Sequence, residues 1–323
     1  MTEQELNKYT EEHMKYYYDK EKKESGYFIH HNLSLFHKSL EIMNDYIDNF
    51  DLNNIEVIKT SYFANMDFLK VLELLEDFFK KMRLDIDINK AVMDGTIEPY
   101  YLHAKNYKVK KYFSAFFNSK KNKNVSIPNS NLALDFLVAA HELAHLYNDP
   151  KNDDESSVLS ESFAIYIELM AGIYLERMGY KFENEFMCEK RLEEVKKDIK
   201  DSMYPLEAKM VYLTFGKITE ENYHKLFKDK DYDKFLNSID KKEFDMDISL
   251  RYVFGYMLAN YMKYSVINDY SFICNVNNFG KKMNDLSFED CLKELNFDSI
   301  DDNFFEEMKN SLEMDLITKA KTK

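Results

Sequence analysis

Helix breakers are scarce in this chain of 323 residues, which has 7 glycines and 4 prolines. Those two residues interrupt helices and build tight turns, so their shortage argues against a turn-rich all-β architecture and predicts long helices with short connections. Cysteine is scarce too. Cys188, Cys274 and Cys291 are odd in number, far apart and in no metal-ligand spacing. That excludes a disulfide framework or a cysteine-based metal module and predicts a reducing compartment. Positive charge is in deficit, with 44 Lys and Arg against 58 Asp and Glu and a net charge of -14. Nucleic-acid binding rests on clustered Lys and Arg, so no nucleic-acid partner is expected, and the basic run KKNKN at 120–124 reads as a solvated loop. Residues 1–28 contain no apolar segment of the kind a signal peptide needs, and no apolar run is expected to span a membrane. The expectation is a cytoplasmic protein without a membrane partner; export by a specialised secretion route would leave no mark that this reasoning detects.

What the chain does have is core material. Hydrophobic residues make up 45%, including 24 Tyr and 25 Phe, while 32% charged residues supply a solvated surface. The length suits one large or two ordinary domains. The apolar residues of FLKVLELLEDFFKKM at 68–82 fall on one helical stripe, which makes residues 1–92 an N-terminal helical region. Residues 93–323 form the second unit. There Gly95, Pro99 and the aromatic and β-branched residues that follow predict a small sheet over 98–128. A helix is predicted over 131–148, capped by Asn129, Ser130 or Asn131, and another over 156–178, with Ser156 as its cap and Gly179 as its stop. DISLRYVFGYMLANYMKYS at 247–265 is again helical. The expected fold class is mainly α, with a small β-sheet beside the helix at 131–148.

That helix carries the chemistry. In LDFLVAAHELAHLYNDP, at 134–150, an apolar run contains His141-Glu142-Leu143-Ala144-His145, an HExxH pattern. Positions four apart lie one turn apart on one helix face, so both imidazoles can reach one tetrahedral Zn²⁺. Glu142 beside them can serve as the general base for a metal-activated water. A hydrolytic zinc site takes three protein ligands and keeps one position open. No histidine stands between His145 and His224, so the third ligand has to be a carboxylate, with Asp153, Asp154, Glu155, Glu161 and Glu168 as candidates. Glu161 stands out, because it lies on the second helix just before the small Ala164, which lets the two helices approach closely. Glu168, two turns further along the same face, can hydrogen-bond a ligand histidine from behind. His13, His30, His31, His37 and His103 have no partners at ligand spacing and read as surface or satisfied core residues.

HExxH followed by Glu161-x-x-Ala164 resembles the gluzincins, zinc peptidases whose third ligand is a glutamate on the next helix. The region 111–145 is more specifically similar to the thimet oligopeptidase and oligoendopeptidase F family, whose second motif has the spacing of Glu161, Ala164 and Glu168. The resemblance implies a zincin-like metallopeptidase core and one Zn²⁺ per chain, held by His141, His145 and Glu161. It also implies a peptide or protein substrate. It nominates Tyr256, and after it Tyr252, as a phenol for the oxyanion. It makes 112–117 a strand along the cleft, with Ser114 and Ala115 as backbone contacts to substrate. The chain departs from that family at Ala144, where glycine is usual, in lacking a histidine shortly after HExxH, and in its shorter spacing from His145 to Glu161. The N-terminal helices are expected to form one wall of the cleft. Two other readings stay open: a specialised effector-type protease that cuts one partner, and a non-catalytic helical binding protein whose HExxH holds no metal.

Overall fold

The computed structural model describes residues 1–19, 27–50, 63–101, 117–118, 124–148, 154–239, 244 and 247–322. Within them the chain is mainly helical. The N-terminal part contains α1 (Glu3–Tyr18), α2 (Tyr27–His31), α3 (Leu33–Ile47), α4 (Phe68–Lys81) and α5 (Ile88–Met93). In α4 the residues Val71, Leu74, Leu75, Phe78 and Phe79 are buried, the i, i+3, i+4, i+7, i+8 pattern of a core-facing stripe, and Asp67 caps the start by accepting from Lys70 N–H. Each such side chain contributes about 1.5–3 kcal/mol when fully buried. These helices do not stand apart, for α2, α3 and α4 pack into the same hydrophobic core as the later helices, a core that extends from Phe28 to Leu312.

A small sheet follows, with β1 (Ile97–Tyr101), β2 (Phe117–Asn118) and β3 (Asn124–Asn129) in the order β1-β3-β2. β1 runs parallel to β3, with Ile97 opposite Val125, while β2 pairs antiparallel to β3. β3 leads directly into α6 (Leu134–Asn148) and packs against it. The entry to α6 is tied by Asp135. Its carboxylate accepts from Ser130 N–H, Ser130 Oγ–H and Leu132 N–H at 2.8, 2.7 and 3.3 Å, so Ser130 takes part as a donor to a residue inside the helix. The backbone turns at Asn131, which has φ 60°.

Three helices make the centre of the molecule. α7 (Asp154–Arg177) lies between α6 and α11 (Asp247–Asn268), and α8 (Lys181–Phe215) flanks them. α6 is buried on every side from Leu134 to Ala144, as a helix without a polar face has to be. The stretch Glu155–Arg177 is long and apolar enough to cross a bilayer, contrary to the sequence-based expectation, but 83% of its apolar window is buried inside this core. Ser156, expected to cap α7, instead lies buried within its first turn. Gly179 does end it, in the left-handed region at φ 97°, with Tyr180 N–H donating to Leu175 O. The remaining elements are α9 (Glu220–Leu226), α10 (Tyr232–Ser238), α12 (Ile273–Lys282), α13 (Phe288–Glu294) and α14 (Asp302–Thr322). A second, smaller core joins α1, the end of α8, α9 and α10 around Leu6, Tyr223 and Phe235.

Gly255 fixes how closely α11 approaches α7. A Cβ there would meet Ser162 N at 3.3 Å and Ile165 Cδ1 at 3.2 Å, with Glu161 C at 3.5 Å. Ile165 is fully buried, and the α7 backbone moves only if the helices part. Gly255→Val is therefore expected to cost about 1–3 kcal/mol by overpacking, measured as a lower urea midpoint at unchanged m-value.

Candidate metal centre

α6 brings the two histidines of HExxH to one face, where His141 Nε2 and His145 Nε2 stand 3.3 Å apart. α7 brings Glu161 opposite them, with Oε1 3.6 Å from His145 Nε2 and Oε2 3.8 Å from His141 Nε2. Ligand atoms bonded at about 2.0–2.2 Å to a tetrahedral Zn²⁺ stand about 3.3–3.6 Å from one another. The three separations lie near that figure, the largest exceeding it slightly, with the two from Glu161 measured to different oxygens of its carboxylate. Glu161 Oε2 is buried and accepts no hydrogen bond among the described residues, an orphan that a cation would satisfy. His141, His145 and Glu161 are thus a donor set that fits one metal ion.

The ring nitrogens facing away from this point are also engaged. With Nε2 of His145 left as a lone pair, its Nδ1–H donates to the buried Ser160 Oγ at 2.8 Å. His141 Nδ1 stands 3.0 Å from Glu168 Oε2, an ion-pair distance that is off line for a straight N–H···O bond. Both contacts select the tautomer whose Nε2 carries the lone pair. Of the other candidate carboxylates, Glu155 accepts from Phe288 N–H at the start of α13, Asp154 opens α7, and Asp153 lies outside the described residues.

Burial governs the charges. It pushes His145 down to about 4, so this imidazole is neutral near pH 7. For His141 burial acts in the same direction, but Glu168, with Glu142 and Glu161, more than offsets it and leaves the ring above its ordinary value. Glu142 is pushed up to about 7, by burial first and against the pull of His141. A carboxylate near 7 accepts and returns protons readily at neutral pH. Burial would raise Glu168 as well, but Arg191 and His141 overcome it and hold that carboxyl at about 2.

Comparison of the chain with protein-family models, with curated proteins and with solved structures finds no match.

A cavity of about 330 Å³ adjoins this centre, lined by residues of α6, α7, α8 and α11, including His141, Glu142, Arg191 and Tyr252; of the three donor residues only His141 belongs to that lining. Among the described residues the N-terminal helices, expected to form one wall, contribute none of this lining. The two tyrosines of α11 separate here. Tyr252 faces the cavity, and its phenol is held well above its ordinary value by the negative charge of Glu161 and then by burial, so it keeps its proton. Tyr256 is fully buried in the main core and is not part of the cavity lining. Ser114 and Ala115 lie outside the described residues, and the strand expected over 112–117 reaches them only at Phe117, where β2 begins. His30 and His37 are buried and paired with Lys209 and Glu207, His31 is exposed, and His103 lies outside the described residues. Two residues near the histidines were not foreseen, Ser160 and Arg191.

The raised carboxyl of Glu142 predicts a pH signature in the zinc-free protein. Its ordinary value is 4.5 and its folded value about 7, so between those limits the native state holds a proton that the unfolded state has released. Stability must fall as pH rises through that window, by about 3 kcal/mol at 1.36 kcal/mol per pH unit. Glu142→Gln removes the loss. The metal-free variant is expected to unfold at higher urea than the wild type at pH 8, with the gap closing near pH 4.5.

Proposed function

We propose that this chain is a zinc-dependent metallopeptidase of the gluzincin type, built on a zincin-like core. One observation carries the reading: His141 Nε2, His145 Nε2 and the Glu161 carboxylate converge from two packed helices at separations close to those of a tetrahedral zinc site, with Glu142 beside them in a cavity. Zn²⁺ bound by these three residues would polarise the scissile carbonyl and acidify water. The protein's own groups supply the rest. Ser160 and Glu168 keep both imidazoles turned so that Nε2 faces the centre. Glu142 takes a proton from the water whose oxygen bonds to the carbonyl carbon, and delivers it to the amine nitrogen as the C–N bond breaks. Tyr252, protonated at all working pH values, donates its O–H to the carbonyl oxygen as negative charge develops there. The cavity's apolar wall, formed by Val138, Met187, Val195 and Ile248, suits the side chains of an extended peptide.

The test is hydrolysis of a mixed short-peptide library by zinc-loaded protein, with products identified by mass spectrometry. Cleavage that a chelator stops and added zinc restores supports the proposal. An intact library, together with an intact whole-cell lysate, refutes it; cleavage confined to the lysate marks a protease dedicated to one protein.

A further inference from the structure

Behind His141 the contacts continue beyond Glu168. Arg191, on α8, grips the Glu168 carboxylate with two nitrogens, Nη2 to Oε2 at 2.6 Å and Nε to Oε1 at 3.2 Å. Its third nitrogen, Nη1, donates to Glu194 at 3.2 Å. The guanidinium is largely buried and the Glu168 side chain only 5% exposed. The oxygen that Arg191 holds most tightly, Oε2, is the one facing His141 Nδ1 at 3.0 Å. The chain of contacts therefore runs Glu194, Arg191, Glu168, His141, across α8, α7 and α6.

We propose that Arg191 is a positioning residue of the metal centre, acting on His141 through Glu168. A guanidinium presents a rigid planar fork, so a two-point contact fixes the plane of the carboxylate as well as its place. A buried glutamate without such a clamp has rotamers that turn its oxygens away from the imidazole. The clamp selects the one that presents Oε2 to Nδ1 and leaves Nε2 aimed at the metal. Lysine, a point charge on a flexible stem, would keep the charge and lose the orientation. This inference rests on the metallopeptidase reading for its consequence, since what Arg191 positions is a ligand.

The experiment is Zn²⁺ affinity, measured by competition with a chromophoric chelator, for the full chain and for Arg191→Met, Arg191→Lys, Glu168→Gln and the Arg191→Met/Glu168→Gln double variant. Groups that orient a ligand histidine from behind typically change metal affinity about 10–100-fold. Arg191→Met is expected to weaken Zn²⁺ binding about 10-fold and Arg191→Lys to recover only part of it. In the Glu168→Gln background the same Arg191→Met change is expected to have no further effect. The double variant also guards against misfolding, because it leaves neither charge buried alone. Wild-type affinity in Arg191→Met, with only a lower melting temperature of the zinc-free protein, would make Arg191 a stabilising residue and overturn the inference. Equal losses in both backgrounds would overturn it too, by showing that Glu168 is not the route. If the wild type itself binds no Zn²⁺, both this inference and the metallopeptidase reading fall, whereas normal wild-type binding with an unaffected Arg191→Met removes only this one.

Discussion

Glu142→Gln is expected to lower peptide hydrolysis about 10²–10⁴-fold, the usual contribution of a positioned general base, while Zn²⁺ stays bound. Glutamine has the size of glutamate and fills the same buried position in α6, so His141 and His145 keep their places on the helix. What it lacks is the basic oxygen. The same residue sets the acid limb of the pH profile. Activity needs ionised Glu142, whose carboxyl burial has pushed up to about 7 in the absence of a cation. A neighbouring dication favours the ionised form. In the zinc enzyme kcat/KM is therefore expected to fall on the acid side with a midpoint at or below about 7, and steady-state rates from pH 5 to 8 measure it.

Tyr252→Phe is expected to reduce kcat about 10²–10³-fold, the effect of removing one oxyanion donor, with Zn²⁺ affinity unchanged. The phenol contributes nothing to the ligand set, so metal binding has no reason to move. Tyr256→Phe is the control. Tyr256 is wholly buried in the core, so its loss is expected to act on the unfolding midpoint and leave kcat near the wild-type value. Rates and midpoints for the two variants, measured side by side, separate the two roles. A large kcat loss in Tyr256→Phe with none in Tyr252→Phe would mean that the oxyanion group had been assigned to the wrong tyrosine.

Much of this site was legible in the sequence because helical periodicity is local. Histidines four apart share a face of α6 whatever packs around it, and Glu161 and Glu168 share a face of α7 for the same reason. Glu161 could be singled out because it lies on the second helix shortly before the small Ala164, which lets the two helices approach closely. The helices at 68–81 and 247–268 followed from the same apolar pattern, and the glycine stop at Gly179 from its backbone freedom. What stayed hidden depends on tertiary contact. Arg191 sits in the charged run EKRLEEVKKD of α8, which reads as a solvated face, and nothing local says that one of its cations turns inward to Glu168, 23 residues away. Ser160 is a small polar residue among several in α7, and only the approach of α6 makes it the partner of His145. Tyr252 and Tyr256 differ by one helical turn, so periodicity puts both near one face. Only the packing of α7 and α8 decides which of them reaches the cavity. α7 itself has the length and apolar composition of a membrane span, and its place between α6 and α11 is a fact of the fold.

On the proposed reading His141, His145 and Glu161 hold one zinc ion. Metal content by mass spectrometry on purified protein tests it most directly, beside Glu142→Gln and Glu161→Ala. About one zinc per chain is expected in the wild type, retained in Glu142→Gln and much reduced in Glu161→Ala. No bound metal in the wild type, even after zinc is supplied, or an equal zinc content in Glu161→Ala, would contradict it.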